Sequence, residues 1–134
     1  MNRTHLEGAA EALAAQQGYA FHTGPEDGMA HTMRSYPAAW PPPPELHAVE
    51  GRGHGRATYN MTLHLLSSGA RLSPAERRTA LARMEEQLLE IFAALSLDER
   101  VLAVEGLSVR PRAFALTPHG EISQTAAARI VTFF

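Results

Sequence analysis

Ser73-Pro74-Ala75-Glu76 opens the strongest helical signal in the chain, and the length of that helix sets the dimensions of any fold that holds it. Ser73 is placed to cap the helix. Pro74 fits the first helical position, where its missing amide proton is not needed, and Glu76 closes a capping box. Leu81, Met84, Leu88, Ile91, Phe92 and Leu95 then recur at helical spacing as one apolar stripe. At about 1.5 Å per residue, a helix over 74–95 is roughly 33 Å long, the span of a small domain. Such a helix needs an apolar sheet to lie on. Residues 57–66 predict one of its strands: Ala57, Tyr59, Met61, Leu63 and Leu65 alternate with Thr58, Asn60, Thr62 and His64, giving one face to bury and one to leave polar.

Weaker signals surround this pair. Thr4 and Glu7 have the spacing of a second capping box, and Leu6, Ala9, Ala10, Leu13, Ala14 and Gln17 share a face, which predicts a helix over 4–17 ending at Gly18. Tyr19, Phe21 and the stretch Met29 to Tyr36 read as short extended segments split by the turn Gly24-Pro25-Glu26-Asp27-Gly28. Residues 101–116 read as one or two strands interrupted near Gly106 and Pro111, Thr117-Pro118-His119-Gly120 as a turn, and 124–134 as a last strand. The expected architecture is α+β: one domain over 1–134, with a roughly four-stranded antiparallel sheet and both helices on one face.

Residues 37–56 fit no period. Pro37, Trp40, the run Pro41 to Pro44 and Gly51-Arg52-Gly53-His54-Gly55-Arg56 together predict an extended Pro/Gly-rich arm, because prolines cannot donate to a sheet ladder and glycines raise the entropy of a segment. Trp40 either packs this arm onto the body or anchors an interface. Arg52, His54 and Arg56 are candidate interface residues as well. Their interleaved glycines also suggest a second use, with backbone amides and arginines reading an anion.

Composition removes several chemistries. There is no cysteine, hence no disulfide, thiolate nucleophile or cysteine-ligated metal. All 12 cations are arginine, which leaves no lysine for a phosphate-binding loop or a Schiff base. The net charge of −2 offers no footprint for duplex DNA or an anionic membrane, so neither sequence-specific nucleic acid nor a membrane is an expected partner. The seven histidines include no helical i, i+4 pair and no HExxH motif. His22, His31, His47, His54 and His119 fall in or beside expected loops, and His64 lies beside Thr62 on a polar strand face. Gly106-Leu107-Ser108-Val109-Arg110 lacks the second glycine of a nucleophile elbow. The chain has only two aspartates, Asp27 and Asp98. Glu85, Glu86 and Glu90 are expected to form a solvated helix face. No catalytic, cofactor or metal site is expected, and the start Met1 to Glu7, which lacks a secretory core, suggests the cytoplasm.

The capped N-terminal helix before Tyr36-Pro37-Ala38-Ala39-Trp40-Pro41 belongs to a wider pattern. The Tyr59 to Leu65 strand runs into the Ser73-Pro74-Ala75-Glu76 helix with Met84-Glu85, and Gly120-Glu121-Ile122-Ser123 precedes Ile130 to Phe134. This order resembles the tail terminator, or tail completion, proteins of bacteriophages and prophages. The resemblance implies a non-enzymatic subunit of a phage or phage-like particle in a bacterial host, contacting tail-tube and head-completion proteins, and it carries over no site residue. It also implies a ring of six subunits. A residue-level argument points to a homo-oligomer too: the chain has no lysine to protect a sheet edge, and its last strand ends in Ile130, Val131, Thr132, Phe133 and Phe134. Either a neighbouring strand or another subunit has to cover that strand, so Phe133 and Phe134 join the candidate interface residues.

Overall fold

The chain follows the order α1 (Asn2–Gln16), β1 (Ala20–Phe21), β2 (Ala38–Trp40), β3 (Glu45–Arg52), β4 (His54–Ser67), α2 (Pro74–Leu95), β5 (Val101–Pro111) and β6 (Ile122–Phe133). The computed structural model describes residues 2–22, 36–69, 71–112 and 121–134. The expected turn at 24–28, the Met29 to Ser35 stretch and the turn at 117–120 lie outside the described residues.

Helix α2 has the bounds its sequence predicts. The Ser73 hydroxyl accepts from the Glu76 amide at 3.2 Å, and the Ser73 amide donates to Glu76 Oε1 at 3.2 Å, so the capping box is complete. The hydrogen bonds from Ser73 hold the Glu76 carboxyl below its ordinary pKa. Helix α1 begins at Asn2, earlier than predicted, so Thr4 lies inside the helix and caps nothing. The Asn2 side-chain amide explains the extension: it donates to the Thr132 hydroxyl and to the Phe133 carbonyl, both at 3.0 Å, tying the first turn to β6. Gly18, at φ 86°, supplies the left-handed residue after the helix.

Both helices lie on one face of the sheet, as the α+β reading expects. Leu6, Ala10 and Ala14 of α1 and Met84, Leu88, Ile91, Phe92 and Leu95 of α2 share a core with Met61, Leu63 and Leu65 of β4 and Ala126 and Ile130 of β6. The sheet itself is larger than the four antiparallel strands predicted. It has six strands, running β1-β2-β4-β6-β5, with β3 also paired to β4, and the short β1/β2 pair is parallel. The long pairs β3/β4, β4/β6 and β5/β6 are antiparallel.

The extra strands come largely from the expected arm, which the structure corrects. Ala38–Trp40 pairs with His64–Leu66 of β4, and Trp40 joins Ala38, Leu66 and Tyr36 in a second, smaller apolar cluster. Pro37 and Pro41 to Pro44 flank β2 and β3 without interrupting them. Proline is thus confined to the ends of strands, where no ladder hydrogen bond is lost. Residues 45–52 form a hairpin with β4. Gly51 and Gly53 have φ of 105° and 65°, and Gly51 stands opposite Gly55. A Cβ on Gly55 would collide with the Glu50 carbonyl oxygen, and one on Gly51 with the His54 carbonyl oxygen. The glycines therefore close a tight reversal instead of loosening an arm.

The last strand is also not the bare edge that its sequence suggested. β6 lies between β4 and β5, with Thr58 opposite Val131 on one side and Ala103 opposite Val131 on the other. Neighbouring strands of the same subunit therefore cover Ile130, Val131 and Thr132. Only the Phe133 and Phe134 side chains remain exposed, at 45% and 46%.

Candidate interface at the hairpin tip

Five of the six candidate residues meet at one end of the sheet. Arg52 faces His54 across the hairpin turn, and Arg56 faces Phe133 across the β4/β6 ladder. Gly55 and Phe134 exchange both backbone hydrogen bonds, at 3.1 and 3.0 Å. Arg52, His54 and Arg56 are exposed, as are both phenylalanines. Trp40, the sixth, is 1% exposed and presents nothing to a partner. Its indole lies in the small second cluster, stacked by the His22 ring at a centroid distance of 6.2 Å. Of the two uses considered for it, packing is the one the structure contains.

Strand alternation sorts the tip into two faces. Val49 stands opposite Ala57, Leu46 opposite Tyr59 and Phe134 beside Gly55, on the side of the sheet that carries the helices. Leu46 and Val49 are 50% and 54% exposed, so these three side chains form an uncovered apolar strip. Near it, the Arg3 guanidinium lies 5.9 Å from the centre of the Tyr59 ring. Phe133, Arg56 and Glu50 occupy the other face. Every residue of β3 except Ala48 is exposed. Sequence reasoning missed Leu46 and Val49, because residues three apart do not alternate. A register shift between Leu46 and Ala48 brings them to one face.

The glycine-rich run serves as a chain reversal, with the Gly55 amide committed to the Phe134 carbonyl and Gly51 facing Gly55 across the turn. The charge of the tip therefore lies in its side chains, with Arg52 and Arg56 offset by Glu50, which stands opposite Arg56. Because the His54 side chain is exposed, His54→Ala is expected to change stability by less than about 0.5 kcal/mol in a urea melt.

The other polar candidates are dispersed. His64 is buried, with Nδ1 2.7 Å from the hydroxyl of Thr125, its cross-strand neighbour. His47 is exposed, with Nδ1 3.5 Å from Asn60 Nδ2. Glu85, Glu86 and Glu90 are exposed on α2, as their spacing predicts. His31, His119 and Asp27 lie outside the described residues. No group of three or more metal-ligating side chains is found among the described residues, and none of their helices is long and apolar enough to cross a membrane.

Asp98 ties the turn after α2 to α1. Its carboxylate lies 2.7 and 2.8 Å from His5 Nε2 and accepts the Arg100 amide at 2.9 Å. Burial pushes the Asp98 pKa up, but the Arg100 amide, the His5 hydrogen bond and the nearby His5 and Arg100 charges outweigh it, so the net shift is downward from 3.8. A depressed carboxylate adds stability that is present above its unfolded pKa and lost as pH falls through the folded one. Acid melts are therefore expected to show the wild type losing an advantage over Asp98→Asn as pH drops below about 4.

A cleft of about 140 Å³ opens between the end of α1 and the side of α2, lined by Gln17, Tyr19, Pro37, Ser67, Arg83 and Gln87, among others. The Tyr19 hydroxyl donates to Gln87 Oε1 there. Burial raises the Tyr19 pKa, and the Arg83 charge opposes that rise. Comparison with protein-family models gives no match, and comparison with curated proteins gives none.

Proposed function

We propose that this chain is a structural subunit of a phage or prophage-derived tail particle, which terminates or completes the tail tube as a ring, and that it is not an enzyme. The observation that carries the reading is the hairpin tip, where exposed arginines, Leu46, Val49, Phe133 and Phe134 gather at one end of the sheet. A tip of this composition suits contact with another protein surface, since arginine and aromatic side chains provide much of the energy at such contacts. The element order of the tail terminators supplies the context. The working assembly is then a homo-oligomer, with six subunits as the family's expectation, made in the bacterial cytoplasm and carried into the particle. Its neighbours are the tail-tube and head-completion proteins.

The test mixes the purified protein with tubes polymerised from the tail-tube protein encoded beside its gene. Negative-stain images are expected to show a ring at one end of each tube, and tube growth at that end should stop. Bare tubes at every protein concentration, or a gene set among metabolic enzymes with no tube gene nearby, would refute the proposal.

A second reading, a small-ligand or regulatory binding domain, is favoured by the Tyr19–Arg83–Gln87 cleft rather than by the Gly/Arg/His turn. A thermal-shift screen of small anions separates the two readings. A ligand whose stabilisation disappears in Arg83→Ala and survives in Arg52→Ala would favour the cleft.

A further inference from the structure

We propose that a hollow on the face of the sheet opposite the helices, where β5 meets β6, binds a small phosphate monoester with a polar body, such as a sugar phosphate. The site uses neither the hairpin tip nor the Tyr19 cleft, so it stands apart from both readings above.

Strand alternation builds the site. Ser108 and Arg110 lie opposite Ala127 and Thr125, on the face away from Ala126 and Ile130 of the core. The Arg112 amide donates to the Ser123 carbonyl at 3.1 Å, which carries the ladder past Pro111. Arg112 therefore shares a face with Arg110, about 7 Å further along the chain. Ser108, Arg110, Pro111, Arg112, Thr125 and Ala127 line a hollow of about 400 Å³, within the range of small-molecule sites.

Charge sets Arg110 and Arg112 apart from the other arginines of this face. Arg56 stands opposite Glu50 and Arg129 opposite Glu105, whereas Arg110 stands opposite Thr125. Neither Arg110 nor Arg112 forms an ion pair among the described residues, and no described carboxylate lines the hollow. Both side chains are exposed. Two planar guanidinium forks side by side offer more donors than a carboxylate can use, and they match the several oxygens of a phosphate.

Hydroxyl groups add to the site. The Thr125 hydroxyl is fixed 2.7 Å from Nδ1 of the buried His64. An imidazole that donates through Nδ1 leaves the Thr125 proton for a ligand oxygen. Ser123, two residues before Thr125 on the same face, is 2% exposed, and its hydroxyl has no hydrogen-bond partner among the described residues. A second hollow of about 220 Å³ shares Ser108 and Ala127 with the first and adds Asn60, Thr62 and Arg129. It gives the polar body of the ligand a place to lie, which a bare anion would leave unused.

Isothermal titration calorimetry of the full chain with ribose phosphate, inorganic phosphate and ribose tests the site. Ribose phosphate is expected to bind at least about tenfold more tightly than inorganic phosphate, and ribose to give no heat. Arg110→Ala and Arg112→Ala, each shown to be folded by circular dichroism, should each weaken binding at least about tenfold. Arg110→Lys should not restore it, because an ammonium lacks the planar fork. Arg78→Ala, which removes an exposed arginine of α2, should bind as wild type does. Amide NMR shifts on titration should fall at 108–112 and 125–127. No heat up to about ten millimolar ribose phosphate, shifts centred on Tyr19 and Arg83, or equal affinity for inorganic phosphate would overturn the proposal. A single-stranded oligonucleotide that binds the same residues more tightly than ribose phosphate would also overturn it, since the phosphate would then belong to a nucleic-acid backbone.

Discussion

Phe92→Ala is expected to destabilise the protein by about 3–5 kcal/mol and Leu88→Ala by about 2–5 kcal/mol, measured as the shift in urea midpoint at unchanged slope. Both side chains are at most 1% exposed and lie where α2 meets the sheet. Met61, Leu63 and Ile130 below them, and Leu6 and Ala10 of α1 beside them, belong to the same cluster. Truncation removes buried area and also leaves a cavity, because a site bordered by two helices and a sheet can collapse only partly. The contrast with His54→Ala is the informative part. Similar losses at 54 and at 92 would mean that core and tip have been exchanged.

Trp40→Ala is expected to cost about 3–5 kcal/mol, as large as any single truncation in the main core. Nothing in the local sequence suggests this, since Trp40 stands directly before four prolines. Its burial comes from pairing at a distance: Trp40 lies opposite His64, Ala38 lies opposite Leu66, and the indole fills the cluster between them. A loss below about 1 kcal/mol would show that residues 38–40 are peripheral, as an arm would be. The same residue provides its own probe. As the only tryptophan, it should emit at short wavelength in the native state and shift to the red in step with the loss of helical circular dichroism, if its cluster melts together with the main core.

These two predictions also separate what could be read in the sequence from what could not. Helix α2 was legible to the residue because its cap and stripe are local, with each signal lying within four residues of the next. The alternation of β4 was legible for the same reason, although its first residues, His54 to Arg56, lack apolar side chains and hid three positions of strand. Residues 37–56 misled because proline and glycine suppress every local signal, while 38–40 are ordered by pairing with 64–66 and 45–52 by the hairpin with 54–60. The candidate interface was legible as separate parts. Arg52, His54 and Arg56 stood out for their glycines, and Phe133 and Phe134 for an edge that β6 does not form. Only the Arg56–Phe133 register brings them to one end of the sheet, and only the shift beside His47 puts Leu46 and Val49 together on the same face as Phe134.

The central position of β6 governs the order in which the fold can be made. The strand that joins β4 to β5 comes from residues 122–133, the last of the described elements to be synthesised. Until then β4 and β5 have no common neighbour, and the apolar faces of α1 and α2 lie over a sheet whose middle is missing. The N-terminal helix waits as well, since its first turn is tied to Thr132 and Phe133, about 130 residues downstream. Closing contacts of such long range is slow and is completed only after synthesis reaches the last strand. A chain truncated near residue 115 therefore leaves β4 and β5 with unpaired edges that only β6 can close.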